Sequence, residues 1–149
     1  MKLNNEIISF FKEQGFNIVS TLNKDGSIHS SCKGIVDIKN NKAYLLDLYC
    51  GRTFKNIRNN PNITVTAVDE HAYKGYALSG EAKIVKKEDI GSEILKSWEK
   101  NISKRVSKRL VKNIKNDRKS KHHPEAKFPN PKYLILLNIE KVTDLAPVK

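Results

Sequence analysis

The sequence predicts a small antiparallel β-barrel that carries few helices. Three observations point there. Alternating or apolar runs of strand length recur along the 149 residues. Tight-turn dipeptides join the first of them, and helical punctuation appears in only three places. Strands joined directly by hairpins favour a barrel over a βαβ sheet, in which a helix follows each strand.

Composition sets the frame. A chain of this length reads as one domain over 1–149, long enough to bury a core, and its 38% hydrophobic content is too high for a disordered segment. No apolar stretch approaches the roughly twenty residues that span a bilayer. Met1 to Ile8 lacks the basic-then-apolar layout of a signal peptide. Cys32 and Cys50 have neither metal-type spacing nor the look of an extracellular framework, so a reduced, cytoplasmic protein without a structural metal is expected. The formal charge of +12 is concentrated: residues 96–121 hold 11 Lys/Arg against 2 Asp/Glu, which leaves only +3 elsewhere.

Lys2 to Gln14 reads as a short amphipathic helix, with Leu3, Ile7, Ile8 and Phe11 at helical spacing and Gly15 ending it. Phe16 to Leu22 alternates, with Phe16, Ile18, Ser20 and Leu22 on one face. Asn23 to Ser27 is a hairpin loop in which Asp25-Gly26 is expected to supply the positive φ angles. Ile28 to Ile38 reads as one second strand, with Cys32 among the small, inner-face even positions and Ser31 and Lys33 among the odd ones. Asn40-Asn41 closes a tight turn into a third strand, Lys42 to Leu48.

Gly51 to Val65 is the most informative stretch. Thr53 is expected to be an N-cap and Asn60-Pro61 a stop, which makes strand, short helix, strand. The helix N-terminus beside Arg52 suits an anion of the phosphate type, and the plain alternative is an ordinary connecting helix. Ile63 to Val68 and Tyr76 to Val85 follow as strands, the latter with Tyr76, Leu78, Gly80, Ala82 and Ile84 inward. Tyr133 to Val142 is the sixth strand. Its Leu134 to Leu137 run is apolar on both faces, as in burial on both sides or at a subunit interface.

Before that strand comes a long basic helical segment, 87–116. Ile90, Ile94, Trp98, Ile102, Val106, Leu110 and Ile114 recur every four residues, so the stripe drifts about 40° per step around a straight helix about 40 Å long. A break near Asn101 to Ser103, or packing against a second subunit, is expected. Residues 117–131 read as a mobile loop. There His122-His123 has no companion ligands to make a metal site.

Ser20 to Ser31, Gly51-Arg52-Thr53 through Asn59-Asn60-Pro61, and Gly75 to Ala82 stand in the order and spacing of a known family. With these pieces the chain resembles the pyridoxamine-phosphate-oxidase-like flavin proteins, the FMN-binding split barrels, over about Phe10 to Val85 and the last strand. The resemblance implies a six-stranded split barrel that forms a homodimer with FMN at the interface. It places the flavin ring along Ser30, Ser31, Cys32 and Lys33, with Leu46 and Asp47 bordering ribityl chain or ring. The family's basic phosphate-binding pair falls on Arg52 and Thr53, where the second position is usually Lys. Lys55 or Lys33 is a candidate for the missing charge.

Residues 131–149 contain no counterpart of the family's substrate-phosphate residues. The resemblance therefore implies an FMN-dependent oxidoreductase of some other small molecule, with flavin doing the redox chemistry. His71 and Tyr73 read as exposed loop residues or, alternatively, as groups facing the flavin. Two further readings stand beside this one. Lys96, Lys100, Lys104, Lys108 and Lys112, interleaved with Arg105 and Arg109, suit a nucleic-acid or polyanion-binding module. The split barrel could also hold haem or a deazaflavin in place of FMN.

Overall fold

The computed structural model describes residues 2–47, 51–115 and 133–147, without the side chains of 87, 105, 106 and 109–115. Seven strands form one antiparallel sheet, and three helices pack around it. The strands are β1 (Asn17–Leu22), β2 (Ile28–Lys33), β3 (Ile35–Lys39), β4 (Lys42–Asp47), β5 (Asn62–Asp69), β6 (Lys74–Lys86) and β7 (Tyr133–Asp144). The helices are α1 (Asn5–Glu13), α2 (Arg52–Asn59) and α3 (Ser92–Lys115).

The run expected as one second strand is therefore two, interrupted at Gly34. The sheet order β2-β1-β5-β6-β7-β4-β3 explains why this matters. β2 and β3 are the two edges of the sheet, yet a single residue joins them. The sheet must curl until its edges nearly meet, and the ladder then transfers from β1 on one side to β4 on the other. That is a barrel split at one seam, with seven strands where six were expected.

The turns follow their chemistry. Asn40 and Asn41 both take positive φ, 53° and 57°, as a type I′ hairpin requires. At the first hairpin only Gly26 does so, at 83°. There the Gly26 N–H donates to the Asn23 carbonyl (3.0 Å) and the Asn23 N–H to the Ser27 carbonyl (2.9 Å). The loop is thus a turn followed by a glycine bulge, and Asp25 contributes its carboxylate rather than its backbone angle. Gly80 sits at a shift in the β6–β7 register, where a Cβ would lie 1.9 Å from the Asn138 carbonyl oxygen; no side chain fits.

Inside the barrel, Val19, Leu45, Val65, Leu78, Ile135 and Leu137 are fully buried, and Phe11 of α1 plugs one end. α1 is tied down at its start, where the Asn4 side chain accepts from the Glu6 N–H and the Asn41 side chain from the Leu3 N–H. A second cluster lies under α3: Val36, Leu46 and Leu134 from the sheet meet Ile90 and Ile94, with Leu95 and Trp98 half-buried beside them. This explains the two-faced apolar run of β7, since Ile135 and Leu137 serve the barrel while Leu134 serves the helix. α3 is continuous through Asn101 to Ser103, so the expected break is absent. The first part of the stripe, Ile90 and Ile94 with Trp98, packs on the sheet, and Lys100, Lys104 and Lys108 are exposed; the side chains of Val106, Leu110 and Ile114 lie outside the described residues. The loop expected over 117–131, with His122 and His123, and residues Leu48 and Cys50 lie outside the described residues. Among the described residues no helix is long and apolar enough to cross a membrane, and no group of three His, Cys, Asp or Glu could hold a metal ion.

Candidate functional site

β2 is the strand that builds the site, because its two faces do different work. Successive side chains alternate. His29, Ser31 and Lys33 turn inward, while Ile28, Ser30 and Cys32 turn out and are exposed. Cys32 is thus an exposed residue and not the inner-face one that the alternation suggested. Ser30 hydrogen-bonds Ser20 across the outer face (3.0 Å).

The inner residues connect β2 to two other elements. Ser31 Oγ and Thr53 Oγ1 share a hydrogen bond of 2.9 Å, which fixes β2 against the first turn of α2. One step along the same face, Lys33 Nζ lies 2.7 Å from Asp47 Oδ2 at the end of β4, with side-chain exposures of 12% and 3%. Tyr133 of β7 donates its phenol hydrogen to that same carboxylate oxygen at 2.5 Å. The Phe54 ring stands 4.6 Å from the Tyr133 ring and confines it.

α2 starts differently from the expectation. Its N-cap is Gly51, which offers no side chain, and Thr53 lies inside the helix on the buried face with Asn56 and Ile57. Asn56 is spent on structure: its amide donates to Thr21 Oγ1 (3.0 Å) and Asn23 Oδ1 (2.9 Å), bracing the helix against the first hairpin. No acidic residue stands in the first turn and no side chain caps it. An anion placed there meets backbone N–H groups, the helix dipole and the exposed Arg52. The Arg52 charge also reaches the hairpin. It is the least of the influences that lower the Asp25 pKa, after hydrogen bonds from the Ser27 hydroxyl and N–H.

A groove with a volume of about 860 Å³ runs from this inner cluster between α1, the β2–β3 seam and α3. Cys32, Lys33, Leu46 and Asp47 line its floor; Trp98, Lys104 and Lys108 of α3 form one wall. The eight residues singled out from sequence are therefore not one cluster. Ser31, Thr53 and Arg52 surround the α2 start, while Cys32, Lys33, Leu46 and Asp47 belong to the groove. Ser30 faces away. Lys33, a candidate for the missing charge at the phosphate, is engaged by Asp47. His71 and Tyr73 lie in an exposed hairpin, Tyr73 at a φ of 51°.

Two members escaped the sequence reading. Tyr133 is 86 positions from Asp47, and nothing local marks the pair. Asn56 could have been found, because a polar residue at the third position after Thr53 shares its buried helical face.

A single antiparallel sheet curled until its two edge strands meet at one seam is a split barrel. The family model for pyridoxamine 5'-phosphate oxidase matches residues 3–145, and the chain belongs to that family. Among curated protein sequences nothing matches it. Solved structures share the fold. HupZ of Group A Streptococcus superposes with a TM-score of 0.66 at 17% identity, over 97% of this chain and 95% of that one. General Stress Protein 26 of Bacillus anthracis gives 0.59 at 18%, over 96% and 94%. An F420 reductase gives 0.62 at 13%, over 96% and 98%. The fold is thus that of the flavin-binding oxidoreductase type.

Proposed function

We propose that the protein is an FMN-binding flavoprotein, an oxidoreductase of the pyridoxamine-phosphate-oxidase-like class acting on a small molecule. It works as a homodimer with flavin at the interface. The observation that carries this reading is the uncapped first turn of α2 beside Arg52, bound through Thr53 and Ser31 to the strand whose next inward residue, Lys33, enters the groove. The donor set fits a phosphorylated cofactor: N–H groups and a guanidinium meet the phosphate, and a groove of mixed polar and apolar lining includes Lys33, the next inward residue of β2 after Ser31.

When bound, the flavin supplies the electron-transfer chemistry. The chain's own residues do the rest. Arg52 and the α2 N–H groups hold the phosphate, and the Ser31–Thr53 bond keeps that turn in register with β2. Lys33 presents its ammonium beside the ring, and Trp98 screens the groove from water. The dimer is supported by the outer face of the first hairpin, where Phe16 and Ile28 are 61% and 71% exposed, with Ile18 and Leu22 between them. Such a patch suits a second copy of the same surface.

The experiment is purification without added cofactor. Yellow protein with a flavin spectrum that releases FMN supports the reading; a Soret band indicates haem, and a released deazaflavin indicates that cofactor. Colourless protein that takes up no added FMN overturns it. Arg52→Ala should weaken FMN binding by about 1.5–3 kcal/mol, the value of a charged hydrogen bond, read by fluorescence titration. Unchanged affinity removes Arg52 from the site.

A second reading keeps one observation of its own. Lys96, Lys100, Lys104 and Lys108 are all exposed along α3, as a polyanion-binding face requires. DNA retention that falls steeply with salt and is lost in Lys104→Glu/Lys108→Glu supports it. Retention indifferent to those changes excludes α3.

A further inference from the structure

Of the ion pairs between described residues, Lys33–Asp47 alone has both side chains largely buried; the others leave at least one group about half exposed. We propose that this pair, steadied by Tyr133, sets the reduction potential of the bound flavin. The inference rests on the flavin reading above and deepens it.

Burying two charges costs several kcal/mol of hydration, which their attraction repays only with good geometry and further hydrogen bonds. Both are present. Lys33 Nζ approaches Asp47 Oδ2 at 2.7 Å, and the Tyr133 hydroxyl donates to that same oxygen. Phe54 packs on Tyr133. The pair also borders the groove rather than being sealed in the core, since Lys33 and Asp47 are both lining residues, with Cys32 and Leu46 beside them. A flavin gains negative charge on reduction. An ammonium at the ring favours the reduced form, and a carboxylate just behind it offsets that preference.

Solvent weakens the other charges of the groove. Lys12 is 46% exposed and paired with Asp37. Glu13, Lys104 and Lys108 are exposed as well. Their fields are screened, whereas those of Lys33 and Asp47 act through a poorly solvated medium. Asp47, itself a lining residue, acts on the ring by its own charge, opposite in sign to Lys33, and Tyr133 is a positioning residue that holds the Asp47 carboxylate.

The test is the midpoint potential of FMN-loaded protein, measured against a reference dye, on variants first shown to be folded by circular dichroism. Asp47→Asn keeps the shape and an oxygen for Tyr133 but removes the negative charge. It should favour reduced over oxidised FMN about tenfold, a rise of about 30 mV for a two-electron couple. Lys33→Met should move the potential in the opposite direction. The double variant Lys33→Met/Asp47→Asn should return near the wild-type value. Lys83→Gln, exposed on β6 and outside the groove, should leave it nearly unchanged.

Opposite shifts with a restored double variant establish the pair as the tuning device. If Lys33→Met does not fold, the sign of the Asp47→Asn shift decides. Loaded variants with the wild-type potential overturn the inference while leaving the flavin reading intact. Shifts of one sign, or a Lys83→Gln shift as large, overturn it equally. Wild-type protein that takes up no FMN overturns the flavin reading itself, and this inference with it.

Discussion

The first hairpin and the β5–β6–β7 meander belong to one sheet, yet they are built inside out relative to each other. The meander follows the usual order: Ile63, Val65, Leu78, Ile135 and Leu137 are buried, and polar residues alternate outward. The hairpin reverses much of this. It turns Asn17, Thr21, Ser31 and Lys33 inward and leaves Phe16, Ile18, Leu22 and Ile28 exposed. Burying polar groups costs free energy unless each is paired. The hairpin meets that requirement at Thr21, Ser31 and Lys33 by bonding to α2 and β4. Asn17 has no hydrogen-bond partner for its side-chain amide among the described residues. The meander therefore reads as scaffold, while the hairpin places polar groups at the seam and leaves an apolar outer face exposed.

That contrast can be broken by mutation. Leu78→Ala, in the meander, should lose about 2–5 kcal/mol through lost burial and a cavity, measured by urea unfolding. Ile28→Ser, on the hairpin, should change the stability of the isolated chain by no more than about 0.5 kcal/mol while lowering its sedimentation-derived mass. Equal losses at the two sites would erase the distinction. Tyr133→Phe removes a hydrogen bond to a buried carboxylate and should cost about 2 kcal/mol in the same assay. A silent Tyr133→Phe would mean that Asp47 draws nothing from the phenol. Thr53→Val keeps the shape but strands the Ser31 hydroxyl, for a cost of about 1 kcal/mol. That change should also raise hydrogen exchange in the first turn of α2.

The smallest effect concerns acid. Hydrogen bonds from Ser27 lower the Asp25 pKa below its ordinary 3.8. A carboxyl with a depressed folded-state value stabilises the fold above its unfolded pKa, and that contribution disappears as pH falls through the folded one. Asp25→Asn should therefore flatten the stability–pH curve in the acid range and leave its slope at neutral pH alone. An unchanged acid limb would mean that the hairpin loop does not hold Asp25 in solution.

Much of this molecule is legible one segment at a time. The alternation in Tyr76 to Val85, the Asn40-Asn41 turn, the stop at Asn60-Pro61 and the Phe11 face of α1 all depend on neighbours within a few residues, and each forms where the pattern places it. The Arg52 helix start was visible for the same reason, although its cap is Gly51 rather than Thr53. What local pattern could not supply was the direction of the hairpin. Phe16, Ile18 and Leu22 make an apolar face by any count, and periodicity alone cannot say whether that face meets the core or another chain.

The sequence by itself determined the elements, their turns and the strand-helix-strand unit at Gly51, because these rest on backbone preference and short-range spacing. Only the tertiary structure decided that Ile28 to Ile38 splits at Gly34, since the break exists to bring two sheet edges to one seam. The same closure carries Lys33, Asp47 and Tyr133, each from a different strand, onto a single carboxylate oxygen. No spacing along the chain encodes that meeting, because it depends on the curvature of the whole sheet.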